Sequence, residues 1–224
     1  LAASLMAVAR LKRLDVPLHG DVKVESVVDE EFAGGHGTLA ARLRGHRADA
    51  AVVPENSGMT IYHMHRGLWI VHLTVRGAGG IDFNAEADPA DNPIEHVGRL
   101  IALVAGYREV RRARANVPPA YAHLKDPSPV LLTKLGSGAF GPAAPIAVPD
   151  AVTLEVYVQP MPGESREAIE AEFFGYLDSL LGADPYFRLH PPERSHPYRF
   201  MPGSGVPADH PLVRLELAAD EVRA

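Results

Sequence analysis

The sequence predicts an α/β fold in two parts: a partial parallel-sheet domain, and inserted in it a β-α-β-β-α-β domain of ferredoxin-like type. Three observations predict this. The first 55 residues alternate helix, strand, helix, strand, the succession of a parallel sheet layered with helices. From about residue 65 to 190 each strand pattern has one apolar face, and two long helical stretches separate the strands, as in an antiparallel sheet covered on one side. From 191 the chain leaves that pattern for a Pro- and Gly-bearing tail, "RFMPGSGVPADHPLVRLELAADEV", whose last stretch reads as the start of a helix. The expected domains are therefore 1–64 with 191–224, and 65–190.

The elements follow in order. Residues 1–14 place Leu1, Leu5 and Val8 at helical spacing and end on Arg10, Lys12 and Arg13, cations suited to a helix C-terminus. "DVKVESVV" (21–28) and "ADAAVVPE" (48–55) read as short buried strands, and "GHGTLAARLRG" (35–45) as the helix between them. "RGLWIVHLTVRG" (66–77) puts Trp69, Val71, Leu73 and Val75 on one face and His72 and Thr74 on the other. Asp91 or Asn92 caps a helix over about 93–114, with Ile94, Val97, Ile101 and Val104 as its stripe. "PVLLTKLGSG" (129–138) and "AVTLEVYVQ" (151–159) are strands, the second with Val152, Leu154, Val156 and Val158 inward and Glu155 outward. Ser165 caps a helix whose stripe is Ile169, Phe173, Leu177 and Leu180, and "YFRLH" (186–190) closes the set as a strand.

Composition narrows the function classes. The 224 residues, 46% of them hydrophobic, suffice for a real core. A net charge of −6 argues against nucleic acid, which needs a basic face. No apolar run approaches the roughly 20 residues of a membrane span. With no cysteine there is neither a disulfide framework nor thiolate chemistry, and the expected location is cytoplasmic.

The chemistry points to "VVDEEFAGGHGT" (27–38). Asp29, Glu30 and Glu31 end an apolar run and precede a Gly-rich turn. Carboxylates this close repel unless water screens them or a cation or proton sits among them. On a parallel sheet the strand ends form one rim, where Glu55, ending the next strand, meets Glu30 and Glu31. One glutamate would bind a cation and its neighbour would take a proton from water. The histidines carry less signal: His63 and His65 share a strand face and His36 lies in the Gly turn, and each reads as polar or structural. "GGHGT" lacks the lysine and the full fingerprint of a phosphate cradle.

The run "SVVDEEFAGGHGTLAARLRGHRADAAVVPENSGMTIYHMHRG", with "VPDAVTLEVYVQPMPGES" and "FRLHPPERSHPYRFMP" further on, resembles the M20 metallopeptidase and amidohydrolase family, of acetylornithine deacetylase and succinyl-diaminopimelate desuccinylase type. The resemblance implies a zinc-peptidase-like α/β domain interrupted by a lid that dimerises, and hydrolysis (deacetylation, for instance) of an N-acyl amino acid or related amide. It implies two divalent metal ions, zinc foremost, with cobalt or manganese as substitutes. By position Glu30 is similar to the general base, and Glu31 and Glu55 to metal ligands. The resemblance also implies a His-x-Asp motif and a bridging Asp before this stretch and a ligand His after it, so the expectation is an internal fragment, by itself inactive. Two lid positions depart from the family pattern: Ile81 stands near the place of a histidine, and Gln159 in place of an arginine. They keep open a second reading, a non-catalytic assembly module or an impaired homologue.

Overall fold

The computed structural model describes residues 1–32, 34–58, 60–80, 92–113, 117–144 and 146–215. The chain forms two compact units, Leu1–Ile61 with Asp209–Ala224, and Tyr62–Ala208.

The second unit is built on period-two strands. Strand β2 (Trp69–Arg76) buries Trp69, Val71, Leu73 and Val75, and β4 (Ala151–Val158) buries Val152, Leu154, Val156 and Val158. These two central strands pair antiparallel from Trp69↔Val158 to Arg76↔Ala151, so both apolar sets fall on one face. Strands β3 (Val130–Ser137) and β5 (Glu193–Ser195) flank them in the order β3-β4-β2-β5, each antiparallel to its neighbour. A separate pair, β1 (Met64–His65) with β6 (Ser204–Gly205), joins the segments by which the chain enters and leaves this unit. Helices α3 (Pro93–Arg112) and α4 (Arg166–Leu181) cover the apolar face. Each buried Val, Leu or Phe there contributes about 1.5–3 kcal/mol relative to exposure.

Both helix starts follow from their caps. Asn92 Oδ1 accepts from Ile94 N–H at 3.0 Å with Pro93 behind it, and Ser165 Oγ accepts from Ala168 N–H at 3.2 Å. The stripes are rotated from those expected. In α3 the buried residues are Pro93, His96, Val97, Leu100, Val104, Tyr107 and Arg111, while Ile94 is exposed and Ile101 only partly covered. In α4 Leu181 is buried in place of Leu180. Spacings of three and four leave two neighbouring stripes open, and contact with the sheet selects one. The stretch "YFRLH" is not a strand. Asp184 Oδ1 accepts from Tyr186 N–H at 2.9 Å and Phe187 N–H at 3.2 Å, starting the short helix α5 (Pro185–Leu189), and the closing strand is Glu193–Ser195.

Three backbones meet where the chain enters and leaves this unit. Gly67 N–H donates to Pro160 O at 2.7 Å, Leu68 and Met201 exchange bonds of 2.8 and 2.9 Å, and Pro162 bridges Gly203. A Cβ on Gly67 would overlap the Met201 carbonyl oxygen, and one on Gly203 would stand 2.8 Å from Pro162 N. Gly67→Ala is expected to cost about 1–3 kcal/mol, as overpacking does. Gly98→Ala, at an open position inside α3, is expected to add about 0.5–1 kcal/mol. Thermal unfolding followed by circular dichroism checks both signs.

The first unit departs further from expectation. Helix α1 (Ala2–Arg13) forms with no buried residue, and a π-helical turn, Gly35–Leu39, leads into the short α2 (Ala40–Leu43). The segments 21–28 and 48–55 form no strand, with bends at 28 and 49, and the described residues contain no parallel strand pair. Val28, Val52 and Val53 are exposed. A parallel strand is held by neighbours on both edges and cover on both faces; apolar content alone does not register two such segments. The helix expected at the end of the tail falls largely outside the described residues, as does Ile81.

Candidate functional site

The acidic turn separates into two kinds of carboxylate. Asp29 adopts a left-handed backbone, φ +67°, and turns back on the glycine turn. Its Oδ2 accepts from His36 N–H at 3.1 Å and from His36 Nδ1–H at 2.9 Å, and its carbonyl accepts from Gly34 N–H at 2.7 Å. Gly34 takes φ +64°, and a Cβ on Gly37 would overlap the Val28 carbonyl oxygen, so the turn lies tightly on the chain before it. Asp29 therefore closes the turn. Its role was hidden in the sequence because a run of three acids does not show which one folds back.

Glu30 and Glu31 stand inside that closed turn, on a 3-10 helix spanning Glu30–Phe32, and both are exposed. Glu55 is exposed on an irregular segment, between bonds from its own N–H to Val53 O at 3.0 Å and from Ser57 N–H to its carbonyl at 2.9 Å. The structure brings Glu30 and Glu31 together by sequence adjacency. It does not bring Glu55 to them as a third ligand: among the described residues no three His, Cys, Asp or Glu side chains stand as a metal-holding group. Among the described residues no strand ladder joins 21–28 to 48–55. Carboxylate oxygens suit a zinc-like cation chemically, and Glu31 and Glu55 are the carboxylates that would hold one.

In the second unit Gln159 is half-buried, and both its side chain and its backbone are bonded to neighbours. Its Nε2 donates to Tyr157 Oη at 2.7 Å, and its carbonyl accepts from Ser128 Oγ at 3.1 Å. His63 and His65 bond to backbone oxygens, Val206 O at 2.8 Å and Arg66 O at 3.0 Å, in keeping with a structural reading. The group that sequence reasoning missed is Glu155, expected outward yet 5% exposed. Its strand partner is His72, whose Nε2–H donates to Glu155 Oε2 at 2.8 Å. Burial pushes the Glu155 carboxyl up, but donors from His72, Thr133 and Lys134 outweigh it and hold the group at about 2. The stabilisation is therefore complete above the ordinary carboxylate range and is lost as pH falls from there toward 2.

No family model matches the chain. Among curated proteins it is 29% identical over 211 residues to the N-formyl-4-amino-5-aminomethyl-2-methylpyrimidine deformylase of Halalkalibacterium halodurans, covering 87% of this chain and 45% of that protein. It is 25% identical over 205 residues to the Bacillus subtilis protein of the same name, covering 86% and 45%. The chain thus spans about half the length of the curated relatives it matches. Among solved structures it aligns with Sso-CP2, an M20 family metallo-carboxypeptidase from Sulfolobus solfataricus, at 13% identity and a TM-score of 0.46, over 68% of this chain and 47% of that one. The chain resembles the M20 family. A hydantoinase/carbamoylase family amidase from Burkholderia phymatum aligns at 11% identity and a TM-score of 0.46, over 75% and 38%. Structural likenesses of this size carry no argument of their own, so the M20 resemblance rests on sequence. Among the described residues no helix is long and apolar enough to cross a membrane.

Proposed function

We propose that this M20-like chain belongs to an amidohydrolase that removes an acyl group, a formyl or acetyl group in the simplest cases, from a small amine or amino acid in the cytoplasm. The observation that carries the reading is the pair Glu30 and Glu31, exposed side by side on a turn closed by Asp29, in a chain 29% identical to a deformylase over 211 residues. Glu30 takes the proton of the attacking water as its oxygen adds to the amide carbonyl. The same proton goes to the amine nitrogen as the C–N bond breaks, giving a carboxylic acid and a free amine. Two divalent ions, zinc first and cobalt or manganese in its place, belong to this reading, with Glu31 and Glu55 as their expected ligands. Such ions, when bound, would polarise the amide carbonyl and make the water a stronger acid. The test is hydrolysis of N-formyl and N-acetyl amides by the protein expressed from its complete reading frame and supplied with zinc, cobalt or manganese. Turnover of neither class with any of the three overturns the proposal.

A homodimer through the 65–190 domain is the proposed assembly, and the two sheet edges support it. Strand β5 is three residues long and carries Glu193 and Arg194, which discourage edge pairing. Strand β3 is eight residues long, and its Leu131 and Leu135 are exposed. Leu135→Lys is expected to shift sedimentation from dimer to monomer; a wild-type monomer at tens of micromolar would refute the assembly.

A further inference from the structure

The polar face of the sheet is organised around Glu155. Thr133 Oγ1–H donates to its Oε1 at 2.8 Å, and Lys134 Nζ lies 3.0 Å from Oε1 and 3.2 Å from Oε2. His72 faces it from β2, and Tyr198 lies near enough to Lys134 to act on its charge. Thr133 and Lys134 are consecutive, and on a regular strand they would point to opposite faces. Both reach one carboxylate because the register of β3 shifts between Leu132, opposite Val156, and Lys134, opposite Glu155. Thr133 is the extra residue of a β-bulge. If the pairing ran on without the bulge, Thr133 would stand opposite Glu155, Lys134 opposite Leu154 and Leu135 opposite Thr153. Lys134 would then face the helix-covered side and Leu135 the polar side.

We propose that Glu155 is a register latch: by holding Thr133 and Lys134 together it selects the bulged register of β3, and its loss lets residues 134–137 slip by one. The inference is independent of the hydrolytic reading. Within one chain strand β3 lies at the end of the sheet and pairs only with β4, so a change of register breaks no second ladder of that chain. His72 sits on the other central strand and anchors the carboxylate from the side that does not move. Protonating Glu155 weakens the latch in the same sense as removing its charge, because a neutral carboxyl no longer attracts Lys134 and loses acceptor capacity.

Amide exchange and cross-strand NOEs on the full chain test the latch. In Glu155→Gln at neutral pH, amides 134–137 are expected to exchange at least about tenfold faster than in wild type, with those of α3 and α4 within about threefold. The Leu135 contact should move from Leu154 to Thr153. Thr133→Val, which keeps the carboxylate, should loosen the same amides by about threefold. Wild type taken to about pH 3 should loosen them before the helices. A retained Leu135–Leu154 contact with unchanged protection in both variants overturns the latch. So does protection lost equally across β3, α3 and α4. If Glu155→Gln fails to fold, Thr133→Val and the acid series decide by the same two criteria.

Discussion

Glu30→Ala is expected to lower kcat for an N-formyl or N-acetyl amide by about 10²–10⁴-fold, the range a positioned general base contributes, with KM within a few-fold of wild type. The split follows from the proposed role: a base that meets the attacking water acts in the transition state and adds little to ground-state binding. Glu30 is exposed, so its removal leaves no buried group unpaired, and the variant should unfold at the wild-type temperature. Glu31→Ala should act differently, lowering the metal retained after dialysis in step with activity. Equal rates for wild type and Glu30→Ala would strip Glu30 of its role. Loss of both activity and folding would assign it to the turn, where Asp29 already makes the closing bonds to His36.

How much of this was legible depends on what each element needs from outside itself. Strands β2 and β4 were readable residue by residue, because a half-buried antiparallel strand writes its orientation into every second position. The stripe of α3 was readable only to within one position, since Ile101 and Leu100 compete on spacing and only the sheet decides. The helix at Pro185 was missed although "ADPYF" carries its signal, an Asp cap followed by Pro. The bulge in β3 was also written in the sequence, as Leu132 and Leu135 three apart in a strand, yet its meaning required knowing that Glu155 lies opposite. For the candidate site, Glu30 and Glu31 are adjacent in any fold. The convergence of Glu55 required a pairing between two segments that form no ladder here, so it was an inference about topology and not about residues.

The largest stability effect is expected at Arg111, whose side chain is fully buried at the C-terminal end of α3. Its Nη2 donates to Glu164 Oε2 at 3.0 Å, its Nη1 to Glu164 Oε1 at 3.3 Å, and Nη2 also reaches Ser128 Oγ. Glu172 stands 3.6 Å from Nη1 and accepts from Tyr107 Oη at 3.1 Å. Burial pulls the guanidinium pKa down, but the bonds to Glu164, together with the electrostatic pull of Tyr107, Glu164 and Glu172, leave it raised, so the charge is kept inside. Arg111→Ala would leave two carboxylates facing each other across a void, which costs about 3–5 kcal/mol and lowers Tm by roughly 6–20 °C at this chain length. Arg111→Met with Glu164→Gln keeps the volume and removes the Arg111–Glu164 charge pair together, leaving Glu172 as the remaining carboxylate, and should recover more than half of that loss. The recovery should be incomplete, because Glu164 Oε2 also accepts Met161 N–H at 2.6 Å and thereby shapes the turn that meets Gly203. A double-mutant cycle separates the two contributions. A coupling under about 0.5 kcal/mol would mean that Glu164 holds the turn without help from Arg111, and that the buried cation is tolerated and not required.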